Sequence, residues 1–303
     1  MVGGLPAVLK DEFKELMIMS LVTLKYLMRG SIAGGYAVGA FNFWGLENLQ
    51  GIVLGAFNKK APVIVMSSPA AVKHFGEKTV VGAVRGIAEE YGVPVALHLD
   101  HATDYDMTCR CIDNGYSSVM IDASSKGFNE NVDITARVVE YAARTGCSVE
   151  AELGHVGGKE DDISVDEMSA LFTRPEDVVK FVSSTGIDAL AVAVGTVHGF
   201  YKSTPKLDFD RIAAIRSRSP IPLVLHGGTG VPDEDFRRAI KLGVNKINVG
   251  TELKVHGFFD VMKKGCMEAN HSDPGKITAE IRKVCASLVE AKIEVFGSAD
   301  KAK

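Results

Sequence analysis

Eight short runs of β-branched and aliphatic residues, separated by helical stretches from Tyr36 onward, constrain this chain more than any other feature. They cover residues 36–42, 62–67, 94–100, 117–122, 148–153, 189–194, 222–226 and 246–249. Each is nearly continuous in apolar residues, as strands covered on both faces are, whereas a half-solvated strand would alternate. Amphipathic segments lie between them, among them 73–91, 131–145, 175–184 and 233–242, and several open on proline or acidic residues and end at glycine, as at Gly92 and Gly243. Strand alternating with helix means βα units and a parallel sheet. Eight such units close on themselves, so the expected architecture is α/β, a (β/α)8 TIM barrel.

Length agrees with this pattern, since barrels of about this size fold as one unit and the chain has 303 residues. The expected organisation is one domain over residues 19–303, preceded by an extension over 1–18 that is set aside from the functional argument because Met19-Ser20-Leu21-Val22 resembles a domain start. The tail over 273–296 reads as further helices outside the eight-fold count, under the barrel or against a neighbouring subunit, and a homo-oligomer, dimer or tetramer, is expected. Residues 156–172, rich in Gly, Asp, Glu and Ser, are too many for a plain strand-to-helix turn and read as a lid.

Composition removes several function classes. A net charge of −4 offers no field for a polyphosphate backbone, which argues against nucleic acid as a partner. No apolar run reaches the roughly eighteen residues that a membrane span needs, and no leader pattern opens the chain. The five cysteines are odd in number, and the close pair Cys109 and Cys111 has no second pair to complete a metal cage. They read as thiols of a reducing compartment, and the expected location is the cytoplasm.

In barrels the ends of the strands, and the loops after them, carry the chemistry. Three histidines fall there: His101 after the third run, His198 just past the sixth and His226 at the end of the seventh. Three neutral imidazoles from separate strands suit a catalytic zinc, leaving the ion its full charge and an open position that can hold an enediolate. Any one of them alone reads more readily as a hydrogen-bonded structural residue; their convergence points to a metal. His98 is read as structural, because alternation puts His98 and Asp100 on one face and His101 on the other, so the strand must bend or end near Asp100 for both Asp100 and His101 to reach one site.

Proton transfer needs further groups. Asp100 adjoins a presumed ligand and can exchange a proton with an aldehyde-derived oxygen. Glu160, in Gly157-Gly158-Lys159-Glu160-Asp161-Asp162, can act beside a carbonyl, although spacing alone would make this cluster a solvated loop. For a phosphate, Gly227-Gly228-Thr229-Gly230 after the seventh run and Asn248-Val249-Gly250-Thr251 after the eighth offer paired turns where barrels commonly bind that group.

Five motifs in order, Leu97-His98-Leu99-Asp100-His101, Gly157-Gly158-Lys159-Glu160-Asp161, Gly195-Thr196-Val197-His198-Gly199, His226-Gly227-Gly228-Thr229-Gly230 and Lys246-Ile247-Asn248-Val249, resemble the class II ketose-bisphosphate aldolases, the fructose- and tagatose-bisphosphate group. The resemblance runs from about Met19 to the Phe296-Gly297-Ser298-Ala299 ending. It implies one catalytic zinc on His101, His198 and His226, with Asp122 and Glu152 at a second, non-catalytic metal position. It assigns Asp100 to the proton at the aldehyde oxygen and Glu160 to the proton beside the carbonyl of dihydroxyacetone phosphate. Ser68, Gly199, Lys202, Gly227, Gly228, Thr229, Asn248 and Thr251 would hold the phosphorylated end of the ketose, Asn42 would line the same pocket, and a monovalent cation near the phosphate is a further family feature.

Two positions depart from the family pattern. Gly250 stands where fructose-bisphosphate enzymes of this family often carry aspartate, and His155 where several relatives have a small residue. The reaction class is therefore better determined than the sugar, and an aldolase for a deoxy-keto-gluconate phosphate has similar motifs. Rival readings are a Schiff-base aldolase using a strand lysine such as Lys246, a zinc hydrolase on the same barrel, and a sugar-phosphate-binding protein without catalysis.

Overall fold

The computed structural model describes residues 21–156, 171–199, 204–267 and 273–302. Within them, eight parallel strands form a closed barrel in sequence order: β1 (Val38–Asn42), β2 (Val63–Ser67), β3 (Val95–Ala102), β4 (Ser118–Ile121), β5 (Ser148–Leu153), β6 (Ala189–Val192), β7 (Leu223–Leu225) and β8 (Val244–Val249). The side chains of β2, β4, β5, β6, β7 and β8 are buried throughout. That burial is why their sequences run apolar without alternation: outward residues meet the helices and inward ones fill the barrel.

Helix α1 (Leu24–Gly34) precedes β1, which the sequence reading did not anticipate. Thr23 caps its start by accepting the Tyr26 N–H, and Gly35, left-handed at φ 64°, ends it. Leu24, Leu27 and Met28 pack with Val38, Ala40, Ile64, Ala96 and Ala189, so the helix stoppers the end of the barrel opposite the strand C-termini. Burying each such side chain is worth about 1.5–3 kcal/mol. The expected helix over 73–91 is two, α3 (Pro69–Phe75) after helix α2 (Leu46–Asn58), and α4 (Glu77–Tyr91). The break falls at Gly76, whose backbone at φ 82°, ψ 144° cannot belong to a helix.

After β8 come a π-helix (Leu253–Phe259) and a short helix (Asp260–Met267), then a long helix (Pro274–Phe296). The long helix lies along α2, on the flank of the barrel and not beneath it: a Cβ at Gly51 would stand 2.5 Å from the Arg282 carbonyl oxygen, and one at Gly55 2.7 Å from that of Ala286. It thereby closes the outer ring between the last and first units, and the two shorter helices are the additions. No helix among the described residues is long and apolar enough to cross a membrane.

Candidate active site

Strand β3 supplies two site residues by breaking its own alternation. Its pairing with β4 slips between Leu99 and Ala102, where three steps on β3 match two on β4, and His101 takes a left-handed backbone at φ 50°. An extra residue of this kind re-aims side chains. His98 and Asp100 stay inside the barrel, and His101 turns from the helix side to the mouth. The bend that the sequence required is this bulge.

The three histidines meet. One ring nitrogen from each of His101, His198 and His226 lies within 4.8 Å of the other two, and the His101 ring centroid is 4.7 Å from that of His198 and 4.5 Å from that of His226. Nδ1 of His101 bonds Asp122 Oδ2 at 2.8 Å, and Nε2 of His226 bonds Glu150 Oε1 at 2.9 Å. The other nitrogen of His101, Nε2, is buried without a hydrogen-bond partner, and that of His226, Nδ1, has Oε2 of Glu152 3.1 Å away. A buried ring nitrogen left over on His101, and rings held from behind by the carboxylates of Asp122 and Glu150, are what a metal site looks like from its ligands. The donor set, three imidazoles from separate strands, fits zinc.

The surrounding charge favours a cation. Burial opposes a charge on His226, but its hydrogen bonds to Glu150 and Glu152 outweigh this and push its pKa up to about 9. His198, partly buried and facing the charges of His101 and His226, is pushed down to about 4. Asp100 is also buried, yet the neighbouring histidines and Lys246 hold its carboxyl down at about 2.

Asp100 is gripped from two strands. Asn42 Nδ2 donates to Oδ2 at 2.9 Å and Asn248 Nδ2 to Oδ1 at 3.2 Å. Asp122 and Glu152 also reach the site, and with His101 they form a second group whose ligand atoms lie within 4.8 Å of one another. Ser124 donates its hydroxyl to Asp122 Oδ1 at 2.7 Å and meets His155 Nδ1 at 2.8 Å, so the unusual His155 joins this network.

Beside the histidines is a cavity of about 210 Å³ lined by Asn42, Ser68, Gly199, Gly227, Gly228, Thr229, Asn248 and Thr251, together with Trp44 and Lys254. Every described residue expected at the phosphorylated end of a ketose is there. Gly228 gives its N–H to the Asn248 carbonyl at 2.9 Å, so it contributes shape: a Cβ there would stand 2.7 Å from that oxygen. Glu160 and Lys202 lie outside the described residues, as does most of the expected lid over 156–172; His155, just before it, donates its N–H to the carbonyl of Leu171, near its far end, at 2.8 Å.

Sequence reading missed Trp44, Lys254 and, above all, Glu150. Lys246, considered as a Schiff-base nucleophile, is fully buried, hydrogen-bonded to Oε1 of Glu150 at 3.0 Å and ion-paired with Oε2 at 2.8 Å. A signal was available: His98 and Asp100, Glu150 and Glu152, and Lys246 and Asn248 recur at period two in otherwise apolar strands, which places each pair inside the barrel.

A TIM barrel whose strand ends bring three imidazoles and an aspartate beside an anion-sized cavity is a metal-site barrel enzyme. The model of the class-II fructose-bisphosphate aldolases matches residues 22–301, and the chain belongs to that family of lyases. It is 47% identical to a fructose-bisphosphate aldolase of Geobacillus stearothermophilus, over 94% of this chain and 99% of the relative. Among solved structures it is similar to the YdjI aldolase of Escherichia coli K12, with 32% identity, a TM-score of 0.82, and coverage of 93% of this chain and 100% of that one. A fructose-bisphosphate aldolase of Campylobacter jejuni, 23% identical with a TM-score of 0.78 over 93% of this chain and 97% of the other, shares the fold.

Proposed function

We propose that this enzyme reversibly cleaves a ketose 1,6-bisphosphate, fructose or tagatose bisphosphate or a close analogue, to dihydroxyacetone phosphate and an aldehyde such as glyceraldehyde 3-phosphate. The observation that carries the reading is the convergence of His101, His198 and His226 beside the cavity of Ser68, Gly228, Thr229 and Asn248. Zinc held by the three histidines would supply a Lewis acid that polarises the ketose carbonyl and offsets the charge developing on its oxygen. The cavity seats the phosphorylated end and so fixes the sugar against the metal. Asp100, kept ionised and oriented by Asn42 and Asn248, takes the proton from the hydroxyl that becomes the aldehyde oxygen as the carbon–carbon bond breaks. Glu160 returns a proton to the carbon left on the dihydroxyacetone phosphate half, and in synthesis removes it.

Asp122 and Glu152, with His101, would hold a metal at a second, non-catalytic position. A Schiff-base route through Lys246 conflicts with its burial against Glu150. Five free cysteines, four of them buried, suit a reducing compartment, the cytoplasm. Phe259 and Met267, exposed on the helices after β8, are surface that a second copy would cover in a dimer or tetramer.

The test is condensation of dihydroxyacetone phosphate with a panel of aldehydes, before chelation, after chelation, and after zinc is restored. Activity should vanish with the chelator, return with zinc and survive borohydride in the presence of substrate. If no aldehyde is consumed at any zinc level, the assignment fails.

A further inference from the structure

Directly beneath the three histidines, the barrel interior holds a charged layer that the proposed chemistry does not use. Glu150 of β5, Lys246 of β8 and His98 of β3 are each fully buried. Lys246 Nζ donates to Oε1 of Glu150 at 3.0 Å and forms an ion pair with Oε2 at 2.8 Å, and Oε1 of the same carboxylate also bonds Nε2 of His226. His98 meets Ser118 Oγ through Nδ1 at 2.7 Å and has its Nε2 3.9 Å from Glu150 Oε2. Buried ion pairs seldom add stability over a well-packed apolar core, so a layer this costly at this depth invites a reason beyond packing.

We propose that the Glu150–Lys246 pair is a positioning device for the metal ligand His226. The Glu150 carboxylate, 2.9 Å from Nε2 and closer than Glu152 Oε2, 3.1 Å from Nδ1, keeps the proton on Nε2, which leaves the lone pair on Nδ1 for a metal shared with His101 and His198. Lys246 has two tasks in this arrangement. It balances the carboxylate charge, so that Glu150 stays a buried anion, and by sitting within 3.0 Å of both oxygens it stops the carboxylate rotating away from the ring. The lysine thus acts on the metal through two intervening side chains, Glu150 and His226, without touching it. The inference rests on the reading of the three histidines as a metal centre.

The experiment compares wild type, Glu150→Gln, Lys246→Met and the double variant Glu150→Gln/Lys246→Met. Zinc affinity is measured by competition with a chromophoric chelator, the visible spectrum is recorded after cobalt(II) substitution, and the thermal midpoint is read without metal. The double variant replaces the ion pair with a neutral one of similar volume, and it should fold. It should nevertheless bind zinc about 10–100-fold more weakly and show a changed cobalt spectrum, the effect typical of losing a ligand's outer partner. A folded double variant with wild-type zinc affinity and an unchanged cobalt spectrum would overturn the proposal and leave the pair as core filling. If the double variant does not fold, Glu150→Asp decides: it keeps the charge but draws it back from His226, and unchanged affinity there also overturns the proposal. His101→Ala separates the two levels of argument, because retention of wild-type zinc affinity in that variant defeats the metal centre itself.

Discussion

Asn42 and Gly250 share one space: a Cβ at position 250 would stand 2.6 Å from Oδ1 of Asn42. The same Asn42 amide donates to Asp100, so the missing side chain at 250 lets Asn42 hold the carboxylate proposed to transfer the proton. Gly250→Ala and Gly250→Asp should each push Asn42 aside and lower kcat by about tenfold or more, with a smaller change in KM for dihydroxyacetone phosphate. Combining Gly250→Ala with Asn42→Ala should add little to either alone. Additive losses in this double-mutant cycle would show that the two positions act separately.

Gly227 is fixed by a neighbouring loop. It is left-handed at φ 66°, and a Cβ would stand 2.3 Å from the Val197 carbonyl oxygen, one residue before His198. Gly227→Ala should therefore displace His198 and reduce zinc affinity by about tenfold, a loss that equilibrium dialysis would register and that a purely local effect on stability would not produce.

Burial and the charge of Lys246 push His98 down to about 3 from its ordinary 6.5. A histidine depressed in this way takes up protons more readily when unfolded, so its neutral form contributes stability that is complete above about pH 6.5 and is lost progressively toward about pH 3. Urea unfolding of the metal-free protein should show a falling midpoint across that window. His98→Gln, which cannot titrate, should flatten the decline, and an unchanged slope would assign the acid sensitivity to other groups.

Trp44 is the only tryptophan of the chain, and it lines the cavity. Dihydroxyacetone phosphate should change the intrinsic fluorescence saturably, and Ser68→Ala should weaken that binding by several-fold. Glycerol at the same concentration, lacking phosphate, should leave the signal unmoved.

Much of this protein was determined by its sequence alone. Continuous apolar runs separated by amphipathic segments carry the barrel, because strands covered on both faces cannot alternate. Histidines at the ends of three runs and glycine turns after the last two carry the candidate site, because chemistry in such barrels sits at those ends. Tertiary structure decided what depends on residues far apart in the chain. The left-handed turn at His101 exists because β3 pairs out of step with β4, and β propensity does not encode a neighbour's register. The break at Gly76 and the plug of helix α1 depended on where the chain had to fit. Lys246 shows the limit most clearly: as one letter in a strand it reads as a nucleophile, and only with Glu150, 96 residues away, packed against it does its charge become part of the support beneath His226.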